Sequence, residues 1–406
     1  LIVYTAIMGG GLLQLVAYGA QDVYLTGDPQ ITFFKVVYRR HTNFALESIE
    51  QTFSGSADFG KRVTCQISRN GDLIHRVYLQ VTLPTTAVNT KWVDYVGLAL
   101  MNYVELEIGG QSIDKHYPDW MYIWNELTLP QSKKLGYQKM VGASPNVADA
   151  YAPATPTLYV PLEFWFCRNP GLALPLIALQ YHEVKINIQF ETLANLSKVG
   201  TVTGSLSAAS LWVDYVFLDT DERRRFAQLS HEYLIEQLQF TGSESITASA
   251  NRIKLNFNHP VKELVWVLQR STPASNAWNN YVNADGVSTA VSTVNPNLAW
   301  NGSNTMTAAK LQLNGHDRFT ARDGDYFNLV QPYQHHDNIP NNTGINVYSF
   351  ALKPQEHQPS GTLNMSRIDT AVLSFTSTYG GVIKTFAVNY NVLRVMSGMG
   401  GLAYSN

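Results

Sequence analysis

The sequence predicts an all-β protein built from two similar antiparallel sandwiches in tandem, and three observations carry that prediction. Its 406 residues exceed one ordinary domain and suit two. Helical periodicity is scarce, while short runs of alternating apolar and polar residues recur between Gly, Pro and Asn. Four landmark strands also appear twice in the same order, about 185 to 205 residues apart.

The chain opens on LIVYTAIMGGGLLQLVAYGA, which Gly9, Gly10, Gly11 and Gln14 break well short of a membrane span. It lacks the positive flank of a signal peptide, and Met8 before three glycines reads as a translation start, with residues 1–7 as an upstream reading or a processed precursor. Residues 1–30 are expected to form an extended arm.

RVTCQI at 62–67 then matches RIKLNF at 252–257, and LIHRVYLQV matches ELVWVLQ after a turn in each. VELEIGG at 104–110 matches AKLQLNG at 309–315, and YVPLEFWF at 159–166 matches INVYSFAL at 345–352. A further strand pair follows each, IALQYHEVKINIQF and LNMSRIDTAVLSF. Sandwiches of about eight strands in Greek-key order are jelly rolls, so the predicted fold is a double jelly roll with short helical insertions. Its expected parts are a first jelly roll at 31–218, a linker at 219–228 and a second jelly roll at 229–406. Helices are expected around 118–140, broken at Pro130, and at 219–227. The Asn-, Ser- and Thr-rich stretch 271–308 reads as long surface loops.

Composition narrows the function. Charged residues make up 15% and hydrophobic residues 45%, so the chain either covers itself with Asn, Ser and Thr or hides surface against other chains. Net charge is −2, without the basic footprint of a nucleic-acid or anionic-membrane binder. Cys65 and Cys167 lie in apolar stretches and read as buried thiols, although a single bridge between them stays open.

No catalytic constellation stands out. Gly55 to Lys61 fits G-x-x-x-x-G-K, but Arg62 replaces the Ser or Thr a P-loop needs, and a strand follows instead of a helix. His335-His336-Asp337 reads as a solvated loop, and Asp114, His116 and Asp119 as a structural cluster, so no cofactor or metal is expected. Asp221, Glu222, Arg223, Arg224 and Arg225 form a mixed-charge run at the linker, suited to tying the sandwiches together by ion pairs or to contacting a neighbour. Sequons occur at Asn195, Asn301, Asn341 and Asn364. Asn301 and the nearby Asn304 sit in the polar loop stretch, where a glycan would fit.

Taken together, GGLLQLVAYGAQDVYLTGDPQITFFKVVYRRHTNFALESIEQTF, ISRNGDLI, VELEIGGQSIDKHY, PGLALPLIALQYHEVKI, LDTDERRRFAQLSHEYLIEQLQFTGSE and YNVLRVMSGMGGLAY closely resemble the major capsid proteins of large icosahedral double-stranded DNA viruses, of the chlorella-virus type. The resemblance runs from about Met8 to Asn406. It implies a non-enzymatic subunit that trimerises into pseudo-hexagonal capsomers and meets neighbouring capsomers and minor capsid proteins in the outer shell of a virion assembled in the host cytoplasm. The first 34 residues carry no Lys or Arg, so the chain is expected to meet other proteins at its inner face and to make no direct contact with nucleic acid. The resemblance also implies covalent glycans on Asn in an N-T-x-T context, which Asn304-Thr305-Met306-Thr307 matches; Asn301 is the second candidate.

Two alternatives stand beside this. A lectin-like double sandwich used in attachment would place Trp278, Tyr281 and Trp300 on exposed sugar sites. An all-β carbohydrate-active enzyme would need two carboxylates facing across a cleft, and the sequence nominates no such pair.

Overall fold

The computed structural model describes residues 19–30, 33, 40–85, 90–143, 156–271, 278–283 and 303–404. The chain divides into two compact units, Leu1–Asn43 and Phe44–Asn406. Within the first unit, Ala20–Asp22 and Val23–Thr26 wind into consecutive helical turns where the sequence suggested extended chain. Asp22 stabilises the turn by accepting the Gly19 backbone N–H at 2.8 Å, and Thr26 Oγ1 donates to the Asp22 carbonyl. Tyr24 and Leu25 on this turn are exposed.

The second unit contains both sandwiches. The first is built from β1 (Phe44–Gln51), β2 (Arg62–Gln66), β3 (Leu73–Thr82), β4 (Met101–Ile108), β5 (Gln111–His116), β6 (Thr157–Pro161), β7 (Val184–Phe190) and β8 (Ala208–Leu218). The second is built from β9 (His231–Ile246), β10 (Ala250–Lys254), β11 (Pro260–Arg270), β12 (Met306–Leu313), β13 (His316–Asp317), β14 (Ile345–Ser349), β15 (Ala371–Ser377) and β16 (Gly381–Met396). The strand orders are β1-β8-β3-β6 and β2-β7-β4-β5 in the first, then β9-β16-β11-β14 and β10-β15-β12-β13 in the second. Adding eight to each strand number of the first sandwich reproduces the second. Every pairing in these paths is antiparallel, which makes the fold a double jelly roll.

The landmark strands of the sequence fall on equivalent positions. MNYVELEI of β4 and MTAAKLQL of β12 have the same burial pattern, with their first, fourth, sixth and eighth residues buried. Period-two alternation presents one face of each strand to its core. Each strand ends in a left-handed turn, Gly109-Gly110 in one case and Asn314-Gly315 in the other. At Gly109 a side chain would also collide with the His182 ring, 2.3 Å from an added Cβ.

Between β5 and β6 lie α1 (Pro118–Thr128) and α2 (Gln131–Val141), separated at Pro130. Pro118 occupies the first helical turn, where its missing N–H costs no internal hydrogen bond. Residues 119–127 of α1 are all buried, so this helix is enclosed rather than laid on a surface. The charged linker forms α3 (Thr220–Gln228), capped by Asp219.

The stretch read as surface loops behaves differently where it is described. Asn279, Asn280, Tyr281 and Val282 are buried, and β12 begins at Met306. Asn side chains make burial of this irregular backbone affordable: Asn280 Oδ1 accepts the Val282 N–H, and Asn342 Nδ2 donates to the Asn279 carbonyl. Part of the Asn content is thus used inside the fold and not on the surface.

Candidate functional site, the seam between the sandwiches

Strand β11 shows why the two sandwiches form one body. Its residues from Val261 to Leu268 are buried without alternation, because both faces of its sheet are covered. Leu264, Trp266 and Leu268 point into the second sandwich's own core, with Leu311, Leu373 and Phe375. Val265 and Val267 point the other way and join Phe386, Val388, Ile345 and Val347 in a core continuous with that of the first sandwich. Helix α1 closes this second face: Trp120 lies 5.7 Å from Phe386, which stacks at 4.8 Å on Phe240, and Tyr117 meets Phe240 edge-on at 4.8 Å.

Polar ties fix the register of the seam. Asp119 of α1 accepts the Tyr281 hydroxyl at 2.6 Å and pairs with Lys384 at 2.8 Å. Asp114 Oδ1 accepts the Leu238 N–H, Gln237 donates to the Ile113 carbonyl, and Trp278 Nε1 donates to the Asp94 carbonyl at 2.8 Å. Arg168 pairs with Glu236 at 2.9 Å, and Glu236 also holds the fully buried Lys262 at 2.7 Å. Burial alone would raise the Glu236 carboxyl, but Lys262, His357 and Arg168 outweigh it and hold the group at about 2. Removing one partner from such a buried pair costs roughly 3–5 kcal/mol. Nearby Glu163 is shifted the opposite way: burial raises it despite the opposing charges of Arg168, His116 and Arg76.

The charges of the linker are placed as follows. Arg223 grips Asp72 of the first sandwich at 3.0 Å, while Arg225 pairs at 3.4 Å with Glu222 of its own helix. Asp221 and Arg224 lie on the exposed side of α3. Arg168 and Lys384 carry no sequence signal of their role in the seam. Lys262 alone left a signal in the sequence, as a charge inside the apolar run from Val261 to Leu268.

Two further expectations change. His336 is enclosed and pairs with buried Glu263 at 2.9 Å, while Asp337 beside it is exposed as expected of a loop. Asn304 is 8% exposed rather than displayed on a surface loop. Its Nδ2 donates to Asn346 Oδ1 at 2.6 Å and to the Gly324 carbonyl, and its Oδ1 accepts the Met306 N–H. Asn301 lies outside the described residues, as does Trp300. Tyr281 and the half-buried Trp278 belong to the seam, not to exposed sugar sites.

Asp114 and His116 pair at 3.0 Å in the interior, the structural role expected of them. Gly55–Lys61 forms a turn in which Asp58 accepts the N–H groups of Phe59 and Leu206, and β2 follows. Cys65 and Cys167 are free and buried. Among the described residues no cluster of three or more His, Cys, Asp or Glu is placed to hold a metal ion, and no helix is long and apolar enough to cross a membrane.

Two jelly rolls with matching strand order, joined along a sheet buried on both faces, define the class: a double jelly-roll protein. A family model described as the major capsid protein N-terminus matches residues 32–219, and one for the large eukaryotic DNA virus major capsid protein matches residues 222–401. The major capsid protein of Pyramimonas orientalis virus is 57% identical, covering 98% of this chain and 100% of that one. That of Paramecium bursaria Chlorella virus 1 is 49% identical, again over 98% and 100%. The subunit in a quasi-atomic model of the PBCV-1 virus capsid superimposes with a TM-score of 0.81 at 44% identity, covering 92% of this chain and 100% of that one. The Faustovirus major capsid protein, 14% identical, shares the fold with a TM-score of 0.75 over 93% and 94% of the two chains. The chain belongs to the major capsid proteins of large eukaryotic DNA viruses and is a structural capsid subunit.

Proposed function

We propose that three copies of the chain associate into a pseudo-hexagonal capsomer, and that these capsomers tile the outer shell of a virion assembled in the host cytoplasm. The observation that carries this reading is the repeat of strand order within one chain. Three chains, each with two equivalent wedges, present six similar edges around one axis, which a hexagonal lattice requires. Neighbouring capsomers and minor capsid proteins are the partners, and the role is non-enzymatic. Light scattering on the purified chain tests it: the mass should be three times the 45.3 kDa of one chain. A species that stays monomeric at all concentrations overturns the reading.

A further inference from the structure

The duplication assigns equivalent positions to the outer faces of two sheets, and their surroundings differ. In the first sandwich, Glu50, Trp212, Tyr78 and Pro161 lie in one row across β1, β8, β3 and β6. In the second, Phe240, Phe386, Val265 and Val347 form the matching row across β9, β16, β11 and β14. Phe386, Val265 and Val347 have no exposure at all; they lie in the core continuous with the first sandwich, where Trp120 of α1 packs against Phe386. Trp212, Tyr78 and Pro161 keep partial exposure, and Tyr159 and Leu46 on the same face are 40% and 62% exposed. Trp212 and Tyr78 stack on one another at 6.3 Å with their planes 4° apart, and a groove of about 810 Å³ separates Tyr78 and Tyr159 from Trp124, Leu129 and Met140 of the same chain.

The covering element also has a counterpart. Helix α1 lies in the connection from β5 to β6, and the corresponding connection from β13 to β14 carries helical turns at Tyr326–Val330 and Gln331–His335. Trp120 and Trp124 of α1 are buried in the seam core, whereas Leu329, Val330 and Tyr333 on the later turns are 42%, 39% and 77% exposed. One chain therefore carries an aromatic sheet face that its own helices leave partly exposed and an apolar helical turn whose outer side is exposed.

We propose that these two surfaces meet between copies: the outer face of β1-β8-β3-β6 receives the Tyr326–His335 turns of a neighbouring chain's second sandwich. The contact repeats between chains the packing that α1 makes within one chain. It is head-to-tail, so it leaves one unused surface of each kind on a dimer and closes when the ring is complete. The inference deepens the capsomer reading and rests on it.

Two variants of the chain test it, each altering only surface positions. One carries Leu329→Glu and Tyr333→Glu, and the other carries Tyr159→Glu and Leu46→Glu. Circular dichroism and thermal melts first establish that both fold. Each alone should remain monomeric by light scattering. An equimolar mixture should give a one-to-one dimer of twice the 45.3 kDa chain mass, since one intact surface of each kind remains to form a single junction that cannot close. Trimers from either variant alone, or a mixture that stays monomeric, overturn the assignment of these faces while leaving the capsomer reading in place. A wild-type chain that never trimerises overturns both.

Discussion

Tyr281 donates its hydroxyl to Asp119 at 2.6 Å across the seam, and both residues lie out of solvent. Burial first, and the Asp119 charge second, push the tyrosine well above its ordinary pKa, so the hydroxyl stays a donor across the accessible pH range. Tyr281→Phe should lower stability by about 1–3 kcal/mol by leaving that carboxylate oxygen short of a partner. Asp119→Ala should cost more, because Lys384 loses its partner too. Denaturant melts of the two variants check the order, and an Asp119→Ala protein as stable as wild type would count against the seam as a source of stability.

Acid should weaken the seam through Glu236. Its folded-state pKa of about 2 lies below the ordinary 4.5, so its stabilising contribution is present above pH 4.5 and fades as pH falls towards 2. That contribution is roughly 3 kcal/mol. Glu163, raised by burial, works in the opposite sense and offsets part of the loss. Glu236→Gln should therefore be less stable at neutral pH, by about 3–5 kcal/mol, and flatter between pH 4.5 and 2. Urea midpoints measured across this range for both proteins decide it; parallel curves would exclude Glu236 as the acid-sensitive group.

Asn304 should carry no glycan, since its amide nitrogen is already committed to Asn346 and Gly324 inside the fold. Peptide mass spectrometry of the virion-derived protein should find residues 303–308 unmodified. Asn304→Ala should cost about 1–3 kcal/mol, the penalty of stranding buried polar partners. A glycan on Asn304 would mean that this network opens before or during modification.

Both thiols should resist alkylation in the native protein and react after unfolding. Cys65 has no exposure, and burial pushes it up to about 11; Cys167 is pushed up as well, with Glu163 adding to the effect. Rapid iodoacetamide labelling of the folded chain at either site would contradict the enclosed packing.

The strand pairs were legible because each half-buried strand writes its orientation into alternate residues, as β4 and β12 do with the same pattern. Pro130 likewise announced the break between α1 and α2. The seam was much less legible. The run from Val261 to Leu268 records burial on both faces but not what covers the second one, and the partners of Lys384 and Arg168 lie 265 and 68 residues away in the chain. Polar residues mislead in a particular way: Asn304 and His336 look solvent-loving in sequence, yet each is used to satisfy groups that the fold encloses.

The core that runs unbroken from the first sandwich into the sheet of β11 and β16 has a mechanical consequence. Domains in one chain swing about a hinge when the surface between them is small and wet. Here bending would have to slide Val265, Val267 and Phe386 against α1 and pull Asp119 from Lys384. The two sandwiches therefore form one stiff block. A closed shell made from such blocks would take up its curvature at the joints between subunits, where angles can vary, and not within them.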